Sequence, residues 1–397
     1  MQSKARKHPV LRNLLIDLLC CGAALTVFAL FHHVLPRQEQ SLGIVIENPY
    51  KTEKTKTKEA TETTEETAEE STSGLNLPEG TRMLTASAGV SDTSLQSASG
   101  GRRQNSRPGG NQGGGSDGMG GKGGSALTDA DGSVETQDAD DTPISEKFAD
   151  KYTESVVVTE NSYSSPDISI TVTEETLGSA TYYLADIYVR DITCFRSALA
   201  QNTYGIGFRD SITDMAVLNN ALLAVNGDYY GNTNEGVVIR NGVIYRANAT
   251  DCDVCVLYYD GTMKVMPGSS FSVQDAIEDG AWQAWTFGPA LLDTDGSVIT
   301  SFASSRRIIS ANPRTAIGYY EPGHYCMVVV DGRGESTGIT LQDLSRLFAN
   351  LGCTAAYNLD GGNSSIMVWQ DAVINEPSGG GRESSDALLI AEVNDVE

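Results

Sequence analysis

Histidine is almost missing from this sequence. Of 397 residues four are histidine, and three of those precede residue 34. His324 stands alone in the C-terminal part, inside a Pro322-Gly323 turn. Multi-histidine zinc sites are therefore excluded, and a Ser-His-Asp triad would rest on that one ring. Lysine is nearly absent after Lys151, with Lys264 the late exception. No Gly-x-x-x-x-Gly-Lys loop occurs, which excludes P-loop chemistry. The net charge is −24, and no Lys/Arg stripe interleaved with aromatics appears, so nucleic acid is not an expected partner. Cysteine is sparse as well. Cys20 and Cys21 fall in an apolar N-terminal run, and Cys194, Cys252, Cys255, Cys326 and Cys353 form an odd, scattered set, not a disulfide framework. Cys252-Asp253-Val254-Cys255 has redox-like or zinc-like spacing, but no second pair follows and it leads into a strand-like run, so it reads as structural. No internal repeat is present, which excludes a solenoid.

What the chain does contain is unevenly distributed. Residues 1–13 form a basic tail, and residues 14–35 are mostly apolar, about the ~20 residues that cross a bilayer. The basic flank places the N-terminus in the cytoplasm and the rest outside. Phe31 to Pro36 offers no small-x-small cleavage site, which favours an uncleaved single-pass anchor in a bacterial envelope over a signal peptide. Residues 36–150 are Thr/Glu-rich and then Gly/Ser-rich, too poor in apolar surface to offset chain entropy. They read as a disordered tether with a reach on the order of 60 Å. Residues 151–397 are then one folded domain.

That domain reads as sheet-rich α+β with few helices. Ile168 to Val172 and Tyr182 to Val189 alternate as half-buried strands do. Ser211 and Asp214 are spaced to cap a short helix ending at Leu218. Asn241-Gly242 and Asp260-Gly261 mark hairpins. Thr340 caps an amphipathic helix with apolar residues at Leu341, Leu344, Leu347, Phe348 and Leu351, and Gly352 ends it. The apolar run Cys353–Tyr357 then enters Asn358-Leu359-Asp360-Gly361-Gly362-Asn363-Ser364-Ser365, and a second apolar run leaves it. The plain reading of that stretch is an Asp-Gly hairpin with polar decoration. Its glycines would also admit close ligand approach or an anion nest.

By elimination, the chemistry at strand ends falls to carboxylate, arginine, amide, hydroxyl and glycine. Asp228, Asp331, Glu335 and Asp360 supply acids, while Arg314, Arg333 and Arg382 supply cations suited to bidentate grip on phosphate or carboxylate. Asp228 and Asp331 taken alone would be turn caps, Glu335 a solvated loop acid, and Arg314 and Arg382 surface ion-pair partners.

Asn226-Gly227-Asp228-Tyr229-Tyr230, Asn312-Pro313-Arg314-Thr315-Ala316-Ile317-Gly318, Asp331-Gly332-Arg333, Asn358-Leu359-Asp360-Gly361-Gly362, and Arg382 with Asp386-Ala387 together resemble the phosphodiester glycosidase family over Leu222–Ile390. Two departures are Asn363, where a third glycine is usual, and Asp228 ahead of the Tyr229-Tyr230 pair. The resemblance implies hydrolysis of a sugar-1-phosphodiester at the glycosidic C1–O bond, with a sugar-phosphate or glycopolymer of the cell envelope as substrate. It casts Arg314 and Arg382 with the Gly361 and Gly362 amides as a phosphate cradle. Asp360 is the leading carboxylate, with Asp228 or Glu335 second, and Asp331 and Arg333 orient the loop. Asn226, Thr315, Asn363, Ser364 and Ser365 complete the binding set. No cofactor is required by this chemistry, although acidic oxygens could instead hold Ca²⁺. The alternative is a non-catalytic phosphosugar-binding module on a tether, or a structural assembly protein.

Overall fold

The computed structural model describes residues 9–30, 35–50, 82–83 and 142–393. The period-two alternation seen in the sequence becomes two long paired strands, Ile168–Leu177 and Ala180–Val189, the second burying Tyr183, Ala185, Ile187 and Val189. These strands lie inside a seven-stranded antiparallel sheet. Its order runs Ala355–Asn358, Arg314–Glu321, His324–Val330, Ala180–Val189, Ile168–Leu177, Ser162–Ser164, Val157–Val158. A second sheet of seven is built around Asp253–Tyr258, Ala281–Thr286, Val237–Arg240 and Val243–Ala247. A third, of five strands, has Leu223–Asn226 between Met367–Trp369 and Asp386–Ile390. The main apolar cluster draws on all three, through residues such as Ile187, Val225, Trp285, Met327 and Tyr357.

The local signals for helices and turns hold. Ser211 Oγ accepts from the Asp214 amide at 2.9 Å at the start of Ile212–Leu218. Thr340 Oγ1 accepts from the Asp343 amide at 3.1 Å at the start of Leu341–Leu351, which Gly352 ends at φ 87°. That helix lays Leu341, Leu344, Leu347 and Phe348 against Ala316, Cys326, Val328 and Ala356 of the first sheet. Asn241 and Gly242 both take positive φ, as their two-residue hairpin demands.

Three expectations are corrected. The stretch around Asp360 is no hairpin: Ala355–Asn358 pairs with Arg314–Glu321 in the first sheet, whereas Met367–Trp369 pairs with Leu223–Asn226 in the five-stranded sheet. Residues 359–366 are thus a crossing between sheets, and the apolar runs on each side serve different ladders.

The helix in the N-terminal run, α1, spans Pro9–Ala29, not 14–35, and it carries Asp17 within it. Among the described residues no helix is long and apolar enough to cross a membrane. The transmembrane anchor is therefore not supported.

The expected tether also does not begin at residue 36. Arg37–Gln38 pairs with Gly205–Ile206, and Ile44–Val45 extends the second sheet beside Val243–Ala247, with Arg82–Met83 on its far side. Ile44 and Ile46 are buried in the main cluster, and Glu39 pairs with Arg246 at 3.3 Å. A short apolar pair suffices here because the open edge of a preformed sheet supplies the ladder. Residues 142–150 also pack on the domain, with Lys147 buried against Glu321 at 3.1 Å. The rest of the expected tether, residues 51–81 and 84–141, and most of the basic tail, residues 1–8, lie outside the described residues.

Candidate active site

The crossing 359–366 is tied down by its own backbone. The Leu359 amide donates to Thr315 O (2.8 Å), the Asp360 amide to Gly227 O (3.3 Å) and the Gly362 amide to Pro313 O (3.0 Å). Gly361 lies so close to Pro313 that a Cβ would stand 2.8 Å from its carbonyl oxygen, and Gly362 takes φ 70° as it opens the 3-10 turn Gly362–Ser364. Beneath the loop Asn226 acts as a bracket. Its Nδ2 donates to Asp360 O at 2.7 Å, and its Oδ1 accepts from Thr315 Oγ1 at 2.7 Å and from the Ile366 amide. Asn226 and Thr315 are buried and hold Asp360 in position without reaching the surface.

The Asp360 carboxylate accepts from Ser364 Oγ at 2.8 Å and from Arg382 Nη2 at 2.6 Å. Arg382 also donates from Nε to Ser364 Oγ at 3.0 Å, and its guanidinium lies 5.6 Å from the centre of the Tyr229 ring. Burial pushes the Asp360 pKa up, opposed by the Ser364 hydroxyl, Arg382 and the Gly361 amide. Tyr229 holds φ 75°, an uncommon conformation for a bulky residue, and is 40% exposed.

Asp360, Arg382 and Tyr229 together edge a cavity of about 440 Å³. Arg307, Arg314, Arg333, Asn312, Asn358 and Asn363 contribute to the rest of its wall. Arg314 is buried, with Nε donating to Ile339 O (3.2 Å) and Nη2 to Ile308 O and Ser310 O (both 2.6 Å). Burial, then the charge of Arg333, pushes the Arg314 pKa down to about 10, which still leaves it a cation at neutral pH. Arg333 is clamped by Asn363 Oδ1 and Asn312 Oδ1 at 3.0 and 2.9 Å. Among the described residues neither Arg314 nor Arg333 has a carboxylate partner. Two fixed cations with no counter-charge suit an anionic ligand with planar or tetrahedral oxygens.

Other expected site residues do not join this wall. Asp228 is sealed in the interior: its carboxylate meets Arg240 Nη2 at 3.0 Å and accepts from the Tyr230 and Thr286 amides. Arg240 also binds Asp386 through Nε (2.9 Å) and Nη2 (2.8 Å). Asp228 thus has its pairings met inside and lines neither cavity around Asp360, where the sequence placed it as a second carboxylate. Asp331 is buried as well and accepts from Asn375 Nδ2 and the Glu376 amide, pinning a neighbouring loop. Glu335 is exposed and lines neither cavity around Asp360. Ser365 is buried behind the loop. The Gly362 amide is already bound to Pro313 O and the Gly361 amide is engaged by Asp360, so neither N–H of the expected amide cradle is free.

Tyr229, Asn312 and Asn358, which sit within the motifs quoted above but outside the expected site set, also line the cavity. Arg240, a charge ending an otherwise Val-Val-Ile strand, was the one sequence signal that Asp228 is internally paired. His324 stacks between Tyr188 and Tyr320 beside Asp186, with no serine in the cluster, so no triad forms there. Among the described residues no group of three or more His, Cys, Asp or Glu side chains is arranged to hold a metal ion.

Residues 219–391 match the family model described as phosphodiester glycosidase, and this part of the chain is similar to that family. A curated relative, the SPbeta prophage-derived uncharacterized protein YomE of Bacillus subtilis (strain 168), is 32% identical over 200 residues, covering 48% of this chain and 31% of its own length. The chain therefore spans about a third of that relative. Among solved structures, the zebrafish N-acetylglucosamine-1-phosphodiester alpha-N-acetylglucosaminidase catalytic domain, auto-inhibited by its pro-peptide, matches at 19% identity and TM-score 0.46, over 57% of this chain and 83% of that one. A hypothetical protein from Synechocystis matches at 12% identity and TM-score 0.45, over 57% and 62%.

Proposed function

We propose that the domain hydrolyses sugar-1-phosphodiesters at the C1–O bond, with Asp360 as the carboxylate that acts at C1. The observation that carries this reading is the position of Asp360. It is the one carboxylate in the wall of a cavity that also presents Arg307, Arg314, Arg333 and Arg382. A phosphodiester brings one negative charge and only acceptor oxygens, which that excess of cations complements.

In the proposed reaction Arg314 and Arg333 hold the non-bridging oxygens. The C1–O bond breaks with its electron pair leaving on the phosphate oxygen, so the leaving group needs little protonation. Asp360 stabilises the cationic carbon or activates the water that replaces phosphate. Water supplies the new C1 hydroxyl, and its remaining proton ends on solvent, giving a free sugar and a phosphomonoester. Arg382 and Ser364 aim the carboxylate. Their hydrogen bonds favour its ionised form and oppose the rise that burial imposes on its pKa.

The test is to incubate the full chain with a panel of sugar-1-phosphodiesters and follow phosphomonoester release, using ¹⁸O-labelled water to locate the cleaved bond. Label in the sugar supports C1–O cleavage. Label in the phosphate would replace the glycosidase reading with a phosphodiesterase. Saturable binding without product would favour the binding-module reading.

A further inference from the structure

Asp360, Arg382 and Tyr229 also line a second cavity, of about 130 Å³. Its remaining wall includes Arg209, Asn232, Glu383 and Ser385. The two cavities differ in charge. The larger is lined by four arginines and one carboxylate, Asp360. The smaller is lined by two arginines, Arg209 and Arg382, and two carboxylates, Asp360 and Glu383, so its formal charges cancel.

Arg209 is held in place but not saturated. Nη1 donates to Phe208 O (2.9 Å) and Ser385 Oγ (2.7 Å), and Nη2 donates to Asn232 Oδ1. A guanidinium has five N–H groups, so two remain. No carboxylate pairs with Arg209 among the described residues. The wall thus offers fixed donors, a carboxylate acceptor on the rim, hydroxyl groups and an exposed aromatic ring. That mixture suits a neutral polyhydroxylated ring, whose hydroxyls both donate and accept and whose C–H face packs on an aromatic side chain.

From this we infer that the substrate lies astride Asp360, its phosphate in the large cavity and a polar edge of its sugar in the small one, where Arg209 and Glu383 read its hydroxyls. The inference rests on the sugar-1-phosphodiester reading above and adds which side of Asp360 takes which half. At about 130 Å³ the small cavity has room for a few waters' volume, at ~30 Å³ each. It therefore takes the substituents of one ring and not a second sugar.

The test uses half-ligands on the full chain, with glycerol 3-phosphate as the phosphate probe and free glucose, galactose and N-acetylglucosamine as the sugar probes. Binding is measured by ligand-observed NMR titration. Arg333→Met is expected to weaken glycerol 3-phosphate about tenfold or more, as loss of a charged hydrogen bond does, and to leave the sugars unchanged. Arg209→Met is expected to do the reverse. Glu383→Gln is exposed and spares the Arg209 anchoring, so it serves if Arg209→Met unfolds. It should weaken the preferred sugar several-fold and leave glycerol 3-phosphate unchanged. Loss of glycerol 3-phosphate binding in either small-cavity variant, with sugar binding intact, would overturn the division. If the wild-type chain bound the sugars but not glycerol 3-phosphate, the phosphodiester reading would fall and the division with it.

Discussion

Two clusters of arginine and carboxylate lie on either side of Gly227, and they have opposite fates. In one, Arg240 joins Asp228 and Asp386 with every charged group buried. In the other, Arg382 joins Asp360 and Ser364, with the arginine side chain 47% exposed and the carboxylate 15%. Gly227 touches both: a Cβ there would stand 2.1 Å from Asp386 Oδ1, while its carbonyl accepts the Asp360 amide. The contrast shows that the residue types do not mark a reactive acid. What marks it is an incomplete enclosure, because a carboxylate whose partners leave a face toward a cavity can still meet a substrate.

The sharpest way to break the comparison is Asp360→Asn. The amide keeps the size and the Ser364 contact but removes the charge. Turnover should fall by about 10²–10⁴-fold, the usual worth of such a group, with little change in melting temperature. A folded Asp360→Asn protein with near-normal kcat would dissolve the distinction drawn here.

Arg240→Met is the converse. It leaves Asp228 and Asp386 buried without their cation and should cost about 3–5 kcal/mol of stability, read by denaturant titration, with loss of activity following loss of fold. Arg240→Met at wild-type stability would mean that the sealed cluster contributes nothing to the scaffold.

The two clusters should also answer differently to pH. Burial first, opposed by Arg240 and reinforced by Asp228, pushes the Asp386 pKa up to about 7. The folded state then holds a proton that the unfolded state releases near the ordinary aspartate value. The stability this contributes is complete below about pH 4 and is lost as pH rises toward 7. Chemical denaturation between pH 4 and 8 measures it, and Asp386→Asn should flatten the slope. Asp360 is also raised, but there the effect appears in rate. In the proposed reaction its ionised form is the one that acts, so the acidic limb of kcat should sit above the ordinary aspartate value. Arg382→Met should move that limb further up, because Arg382 lowers the pKa.

The smallest effect is expected at Tyr229→Gly. Glycine relieves the positive φ, and the Arg382–ring contact it removes is worth roughly 0.5–2 kcal/mol. KM should rise a few-fold with the melting temperature held or slightly higher. A drop in stability would show that Tyr229 belongs to the scaffold and not to the partition between cavities.

Much of this was legible from local sequence. Ser211, Thr340 and Gly352 signal helix ends through groups that act within one turn. Asn241-Gly242 signals its hairpin for the same reason. Asp360, Arg314, Arg333 and Arg382 stand out in the sequence as charged residues in turns or at strand ends within distinctive motifs, and the structure lines one cavity with all four. The errors came where a partner lies far along the chain. In sequence Asp228 is indistinguishable from Asp360, because the Arg240 pairing that seals it depends on how two sheets meet. The two apolar runs flanking Asp360 read as a hairpin, and sequence does not say that neighbouring strands serve different sheets. Arg209 and the small cavity gave no signal at all, since their only mark is convergence in space.

The docking of residues 35–50 bears on the protein's integrity as a single polypeptide. Ile44 and Ile46 bury apolar surface worth roughly 3–6 kcal/mol as an upper figure, beside a ladder and the Glu39–Arg246 pair. The described residues resume at 142. If the chain were cut between residues 84 and 141, the Ile44 strand and its sheet partners would belong to separate polypeptides held by the ladder, the buried isoleucines and the ion pair: two bands on a denaturing gel, one peak on a sizing column. Covalent continuity would then no longer set the local concentration of the N-terminal strand, and dilution would. The segment carrying Glu39 and Ile44 would behave as a small subunit that can leave, be exchanged for a synthetic peptide, or be competed off.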